Sequence, residues 1–296
     1  MRTRPTQIPT RGVGVYGLVG RGISYSLSPL IFQRVFEELG WPAAYGTFDL
    51  TPVRLSRFVA AAADAGIAGF NVTQPYKTMI MRYLDKIDPV AGAVGAVNTV
   101  VRQRHRWIGY NTDVDGVQQA LSSYRRDLAG ASAVIIGAGG AARAVAYALA
   151  AGFGASDITF AARSAAHGGA IVRELSGHCH HNCRWSTCPI TRRALNASLS
   201  GATILVNATP VGGFGAARKS PLPPGVKIPR SLIVFDLVYR PRRTRLLRDA
   251  ESVGCKQLVG GWEMLMAQAE ESFRFWTGVG FPARVRNEML KSEILS

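Results

Sequence analysis

The chain has 296 residues, 47% of them hydrophobic and 18% charged, an ordinary balance for a folded protein and length enough for two domains with cores of their own. No uninterrupted apolar run approaches the roughly 18 residues of a membrane helix, so no membrane partner is expected. Lys and Arg outnumber Asp and Glu by 35 to 19, a formal charge of +16; the basic residues are scattered, without the aromatic-interleaved stripe of a nucleic-acid face, which favours steering of anionic small ligands or a plain compositional bias over a nucleic-acid partner.

In chain order, residues 1–12 carry three Arg, no acid and no apolar core, and are expected as a flexible tail rather than a secretory signal. Residues 13–19 read as a first strand. Ser28-Pro29 opens a helix to Leu39, with Ser28 as N-cap and Pro29 in the first turn, and Gly40 stops it. Residues 44–50 read as a strand, 55–65 as a helix and 67–72 as a third strand. Residues 97–101 and 106–110 flank a polar turn and predict a hairpin. Beyond them, 113–128 reads as helical, 133–137 as a buried strand and 139–152 as a helix. Residues 158–162, 204–208 and 232–237 read as strands; 244–253, 262–277 and 282–290 read as helices. The Gly- and Pro-rich stretch 212–229 reads as a mobile loop. This alternation predicts an α/β protein with parallel sheets, its first domain at 13–113 and a second at 114–261.

Two polar motifs follow strand-like runs. Asn71-Val72-Thr73-Gln74-Pro75-Tyr76-Lys77 ends in a lysine, and Gly109-Tyr110-Asn111-Thr112-Asp113 in an aspartate. At strand ends such residues can meet a small polar ligand, and a Lys and an Asp brought together could move a proton at an alcohol or ketone. Ser26 and Ser28 alternate through Leu27, so an extended segment would put both hydroxyls on one side, where they could hold a carboxylate.

Gly137-Ala138-Gly139-Gly140-Ala141-Ala142 lies between a strand and a helix and satisfies the G-x-G-x-x-A form of the dinucleotide fingerprint. Gly137 would permit the tight turn, Gly139 the approach of a pyrophosphate, and Ala142 close helix–strand packing. The next strand ends at Ala161-Ala162-Arg163-Ser164, without the acidic residue that bonds a ribose 2′-hydroxyl; Arg163, helped by Ser164, suits a 2′-phosphate, so NADP is expected over NAD. The glycine loop and the Lys–Asp pair together point to an oxidoreductase.

Four Cys, at 179, 183, 188 and 255, are too few for a disulfide framework, and a reducing cytoplasm is the expected setting. The cluster His178-Cys179-His180-His181-Asn182-Cys183 matches no familiar paired-ligand spacing and is read as a polar loop, with no metal expected. The basic run 240–245 could face a ligand cleft or form an exposed helix start.

With these motifs in order, the chain resembles the shikimate dehydrogenase family nearly end to end. The resemblance is carried by Ser26-Leu27-Ser28-Pro29, the motif ending at Lys77, Gly92-Ala93-Val94-Gly95-Ala96-Val97-Asn98-Thr99 and Asn111-Thr112-Asp113. It continues through the glycine loop, Asn207-Ala208-Thr209-Pro210-Val211-Gly212, Asp236-Leu237-Val238-Tyr239 and Gly261-Trp262-Glu263-Met264-Leu265-Met266-Ala267-Gln268.

What the resemblance implies is NADPH-dependent, reversible reduction of 3-dehydroshikimate to shikimate, a step of chorismate and aromatic amino acid biosynthesis, by a monomer or homodimer. It implies Lys77 and Asp113 as the catalytic pair and Ser26 and Ser28 on the substrate carboxylate. Thr73, Asn98 and Gln268 would hold the ring hydroxyls, with Tyr239 close by. Gly137, Ala138, Gly139, Gly140, Ala141, Arg163, Ser164, Ala208, Thr209 and Gly261 would lie on the cofactor. The domain at 13–113 would bind the substrate and be joined by the last helices, 262–296, and 114–261 would be the Rossmann-type NADP-binding domain.

The chain departs from the family pattern in places. Tyr25 and Phe32 stand where His is common, which bears on the carboxylate pocket, and Gly22 stands where Pro is common. Ala162-Arg163-Ser164 replaces Asn-Arg-Thr, and His167 stands near a position where a second cation is common. A quinate/shikimate dehydrogenase favouring NAD, a paralogue acting on a related cyclic hydroxy acid, and a basic nucleotide- or nucleic-acid-binding protein without catalysis are the alternative readings.

Overall fold

The computed structural model describes residues 14–178 and 183–291. The expected tail at 1–12, the expected strand start at Val13 and residues 179–182 of the His/Cys cluster lie outside the described residues. Twelve strands and eleven α-helices follow in chain order among those described. One unit holds the described residues up to Thr112 and those from Gln268 onward; the other holds Asp113–Ala267.

In the first unit the strands are β1 (Gly14–Gly20), β2 (Ala43–Asp49), β3 (Ile67–Val72), β4 (Lys86–Ile87), β5 (Thr99–Gln103) and β6 (Arg106–Tyr110), and the helices α1 (Ser28–Glu38), α2 (Leu55–Ala62) and α3 (Pro89–Val94). The sheet order is β2-β1-β3-β5-β6-β4. β2, β1 and β3 are parallel, whereas the hairpin β5–β6 pairs antiparallel with β3. The sheet is therefore mixed rather than parallel as expected, because a tight turn at Arg104, whose φ is +58°, returns the chain directly. α1 buries Ile31, Phe32, Val35 and Phe36 along one stripe, each worth about 1.5–3 kcal/mol of burial.

In the second unit α4 (Asp113–Ala120) and α5 (Arg125–Leu128) lead into β7 (Ser132–Ile136), α6 (Gly140–Tyr147), β8 (Asp157–Ala162), α7 (Ala165–Ser176), β9 (Arg184–Pro189), α8 (Arg192–Leu199), β10 (Ile204–Asn207), β11 (Ile233–Asp236), α9 (Arg245–Ser252) and β12 (Gln257–Val259). All six strands are parallel in the order β12-β11-β10-β7-β8-β9. Renumbered from β7, this is the 3-2-1-4-5-6 order of the doubly wound dinucleotide fold, whose ligand crevice opens where the order reverses, here between β7 and β10.

The single helix expected over 113–128 is broken by a 3₁₀ turn at Ser122–Tyr124, and the one expected over 139–152 becomes a π-helix at Ala148–Phe153. The stretch 212–229 carries no helix or strand, yet Leu222 is buried and Val226 and Ile228 pack on the same core, so it is anchored by apolar side chains rather than loose. α10 (Gly261–Thr277) begins in the second unit and ends in the first, and α11 (Ala283–Lys291) belongs to the first.

Candidate active site

In the first unit the strand directions collect the polar motifs along one edge. β1, β3 and β6 end there and β5 begins there. Ser26 and Ser28 follow β1, Thr73 and Lys77 follow β3, Asn98 precedes β5 and Thr112 follows β6. Backbone bonds join these segments: Thr73 N–H donates to the Val19 carbonyl (2.9 Å), Arg21 N–H to Gln74 (3.1 Å) and Val97 N–H to Lys77 (2.8 Å). Thr73 and Lys77 are half-buried, and the Gln74–Pro75 peptide is cis.

The serine pair converges for a different reason than the alternation predicts. Leu27, not Ser28, is the N-cap of α1, and its φ of −88° and ψ of −6° are helical rather than extended. The turn itself brings the two hydroxyls to 3.3 Å, and the Ser28 N–H donates to Ser26 Oγ at 3.3 Å. Gly22, where Pro is common in the family, donates its N–H to the Asp49 carboxylate at 3.0 Å with φ at +64°; proline could supply neither the donor nor the angle. Tyr25 accepts from the Gln74 carboxamide at 3.4 Å. Phe32 does not shape a polar pocket: it is fully buried, stacked on Tyr45 at 4.4 Å and packed against Trp276 and Phe281.

Beneath this edge lies a buried polar network in which Asn71, Tyr45, Thr99, Thr112 and Ser272 join Asn98 and Gln268. Tyr45 Oη donates to Asn71 Oδ1 (2.9 Å), and Asn71 Nδ2 donates towards Thr99 Oγ1 (3.1 Å) and Ser272 Oγ (3.0 Å). Asn98 Oδ1 accepts from the Thr112 N–H at 2.7 Å, and Asn98 Nδ2 donates to Thr112 Oγ1 at 3.0 Å and towards Gln268 Oε1 at 3.4 Å. Burial raises the Tyr45 phenol well above its ordinary pKa, opposed by a hydrogen bond with Ser28, so the network touches the serine pair as well. α10 thus carries Gln268 and Ser272 to the first sheet, as the resemblance implies for the last helices.

Tyr45, Thr99 and Ser272 have no role in the sequence reading. The only local signal for Ser272 is its place one turn after Gln268. Its partner Asn71 is 201 residues away.

In the second unit the expected cofactor residues gather at the carboxyl edge of the parallel sheet. Gly137 follows β7 with φ at +114°, and a β-carbon there would lie 3.1 Å from the Ala208 carbonyl oxygen and from Thr209 Cγ2. Gly139 is the N-cap of α6, and a β-carbon on it would meet nothing within 4 Å, so the loop backbone is open to an approaching anion. Gly140 and Ala141 open that helix, whose first amides have no partners of their own within it. Ala142 is fully buried.

Arg163 is exposed between β8 and α7. Ser164 caps α7, accepting from the His167 N–H at 3.3 Å, and the His167 ring meets the Ala138 carbonyl at 2.8 Å. His167 therefore ties α7 to the glycine loop. Tyr239, half-buried, follows β11. Gly261, at the start of α10, lies against the Leu237 carbonyl too closely to admit a side chain.

Between β11 and α9, Asp236 is fully buried and accepts from Asn207 Nδ2 (2.8 Å), the Val238 N–H (3.0 Å) and Thr244 Oγ1 (2.6 Å). Burial pushes its carboxyl up to about 6 despite those donors. Asp113 is buried in the first turn of α4, where a carboxylate suits the helix dipole.

Of the basic run 240–245, Arg242 lies over the Trp262 ring at 5.2 Å, Arg243 pairs with Glu251 and Arg245 with Asp249, so much of it is tied down within the unit. Among the described residues no group of three or more His, Cys, Asp or Glu side chains is arranged to hold a metal, and no helix is long and apolar enough to cross a membrane.

These features define a two-domain α/β protein that carries a dinucleotide-binding sheet and a second sheet with a polar ligand edge. The family model for the shikimate dehydrogenase substrate-binding domain matches residues 18–100. A shikimate dehydrogenase (NADP(+)) from Methanopyrus kandleri is 40% identical over 275 residues, 93% of each chain. Among solved structures, shikimate 5-dehydrogenase from Listeria monocytogenes in complex with shikimate and NAD superposes with a TM-score of 0.83 at 33% identity, covering 97% of this chain and 99% of that one. Shikimate 5-dehydrogenase from Thermus thermophilus in complex with NADP(H) and shikimate gives a TM-score of 0.79 at 32% identity, with 94% and 98% covered. The chain belongs to the shikimate dehydrogenase family, with an N-terminal substrate domain and a Rossmann-type nucleotide domain.

Proposed function

We propose that the protein catalyses the reversible, NADP-linked reduction of 3-dehydroshikimate to shikimate. The observation that carries this reading is the single sheet edge bearing Ser26, Ser28, Thr73, Lys77 and Asn98 in a chain of this family. Two adjacent hydroxyls suit a carboxylate; a threonine and the carboxamides of Asn98 and Gln268 suit ring hydroxyls. The residues of the second unit fit a phosphorylated dinucleotide. The open backbone at Gly139 and the start of α6 suit the pyrophosphate, Ala138, Gly140 and Ala141 complete that loop, and Arg163 with Ser164 suits the 2′-phosphate. Ala208, Thr209, Tyr239 and Gly261 lie on the same carboxyl edge of that sheet.

When bound, the nicotinamide supplies the hydride that reaches the ketone carbon. Lys77 gives a proton to the developing alkoxide oxygen and, as a cation, stabilises its negative charge. Asp113 orients the lysine and the reacting hydroxyl and takes part in proton transfer. In the reverse direction Lys77 removes the hydroxyl proton as hydride leaves the same carbon. A step of aromatic amino acid biosynthesis in the cytoplasm is the setting this activity suits.

A second reading, a dehydrogenase that favours NAD or accepts quinate, draws on Ala162 and His167 beside a lone Arg163. One protein sample assayed with shikimate and quinate, each with NADP⁺ and NAD⁺, separates the two. Shikimate with NADP⁺ is expected to give the highest kcat/KM. A higher value for NAD⁺ or for quinate would favour the second reading, and no turnover in any combination would overturn both.

A further inference from the structure

We propose that Asp236 is a positioning residue for the cofactor: its buried carboxylate shapes the two loops, 207–211 after β10 and 237–239 after β11, that form the nicotinamide side of the crevice. The inference rests on the proposed function. Asp236 is fully buried, so it touches no ligand itself.

The first arm runs through Asn207, also fully buried. The Thr209 backbone N–H can only donate, and it lies 3.1 Å from Asn207 Oδ1, so the other end of that carboxamide is Nδ2. Nδ2 donates to the Val211 carbonyl at 3.0 Å and to Asp236 Oδ1 at 2.8 Å. Asn207 Oδ1 also accepts the Thr209 hydroxyl proton at 2.7 Å, and Thr209 Oγ1 accepts from the Val211 N–H at 3.2 Å. The loop is thus wound around one carboxamide whose polar groups are engaged inside the protein, and the bond to Asp236 ties that carboxamide to the next strand. The wound loop sets its Ala208 carbonyl oxygen and Thr209 Cγ2 against Gly137, each 3.1 Å from where a β-carbon would stand.

The second arm is the turn after β11. Asp236 Oδ1 accepts the Val238 N–H at 3.0 Å, which fixes the course of Leu237 and Val238, and Gly261 is packed against the carbonyl of Leu237. The other oxygen, Oδ2, serves a different element. It accepts from Thr244 Oγ1 at 2.6 Å, and Thr244 caps α9 by accepting the Leu247 N–H at 3.3 Å. Oδ1 therefore serves the cofactor crevice and Oδ2 the helix. An ionised carboxylate, which offers acceptors alone, suits this set of donors.

Both loops lie across the switch point from the proposed 2′-phosphate contacts. Arg163 and Ser164 follow β8, so the adenosine half of the dinucleotide falls to β7–β9 and the nicotinamide half to β10–β12. Loosening Asp236 therefore displaces the reacting end of the cofactor and spares the phosphate end. Hydride transfer needs the nicotinamide held in a near-attack geometry, where a misplacement of about 1 Å costs roughly 10²-fold in rate.

The test compares wild type with Asp236→Ala, Asp236→Asn, Asn207→Ala and Thr244→Val. Calorimetry gives the Kd for NADP⁺ and for adenosine 2′,5′-bisphosphate, which lacks the nicotinamide; shikimate oxidation kinetics and thermal melts accompany it. Asp236→Ala should raise the Kd for NADP⁺ about tenfold, as for one lost hydrogen bond to a charged group, and lower kcat at least about tenfold. The Kd for the bisphosphate should move less than about twofold. Asparagine keeps an oxygen for Asn207 and Val238 and turns its amide to Thr244, so Asp236→Asn should bring kcat back to within about threefold of wild type. Thr244→Val should lower the melting temperature through the lost cap while kcat stays within about twofold of wild type. Asn207→Ala should repeat the pattern of Asp236→Ala, and it decides the matter if Asp236→Ala does not fold. Unchanged NADP⁺ affinity and kcat in both alanine variants, bisphosphate affinity lost in step with NADP⁺ affinity, no rescue by Asp236→Asn, or an equal fall of kcat in Thr244→Val would each overturn the proposal. Wild-type protein that binds NADP⁺ but does not oxidise shikimate would overturn the substrate reading alone, and the two Kd values would still decide this inference.

Discussion

Gly137 and Ala208 meet at the point where the order of the parallel sheet reverses: a β-carbon on Gly137 would stand 3.1 Å from the Ala208 carbonyl oxygen. With φ at +114°, the position excludes other residues by conformation as well as by space. Forcing a side chain there costs about 1–3 kcal/mol and displaces the loop that leads to α6. Gly137→Ala should therefore lower the melting temperature and raise the Kd for NADP⁺ at least about tenfold, while shikimate binding to the protein alone stays near wild type. Calorimetric titration with each ligand checks this; wild-type affinity for NADP⁺ would remove Gly137 from the cofactor loop.

Lys77 follows β3 on the edge that also carries Thr73, and it is the one ammonium among the site residues proposed for the first unit. Methionine matches its stem without the charge or the proton. Lys77→Met is expected to lower kcat by roughly 10²–10⁴-fold with little change in KM, because the lost contact forms mainly as the alkoxide develops. A variant that retained wild-type turnover would sink the assignment.

The Asp236 carboxyl provides a pH signature of folding in the nucleotide unit. Its pKa is raised from 3.8 to about 6 by burial, so the native state holds this proton more tightly than the unfolded chain does. The resulting stabilisation is fully present below about pH 4 and is lost as pH rises to about 6, on the order of 3 kcal/mol for a shift of about two units. Asp236→Asn removes the titration. Urea unfolding of both proteins from pH 4 to 7 should show wild type losing stability relative to the variant across that window. A difference that stayed flat with pH would contradict it.

Local patterning carried the strand–helix alternation well: the strand expected over residues 67–72 is β3 at Ile67–Val72. It missed elements whose residues lack an apolar run. β9 reads Arg-Trp-Ser-Thr-Cys-Pro and is largely exposed at the sheet edge, β4 has two residues, and α8 opens on paired arginines. In the site, motif residues at strand ends were legible because each sits beside its own strand. The network beneath them was not: Ser272 reaches Asn71 and Thr99 only because α10 packs on the sheet, at sequence separations of 201 and 173 that no local pattern encodes. The convergence of Ser26 and Ser28 was anticipated from extended geometry, whereas a helical turn at Leu27 produces it.

Cofactor preference is expected to rest on one cation. Arg163 stands exposed after β8, Ser164 is neutral and accepts from the His167 N–H at the α7 cap, leaving only its own proton to donate, and His167, near the position where the family commonly has a second cation, is turned to the Ala138 carbonyl at 2.8 Å. A single charge-assisted contact to a phosphate contributes about 1.5–3 kcal/mol, or roughly 10–100-fold. Arg163→Ala should therefore reduce kcat/KM for NADP⁺ by that range while changing the value for NAD⁺ less than about twofold. Because the contact is solvent-exposed, raising the ionic strength should weaken wild-type NADP⁺ binding more than NAD⁺ binding. Equal losses for the two cofactors would mean that Arg163 supports the loop and does not read the 2′-phosphate.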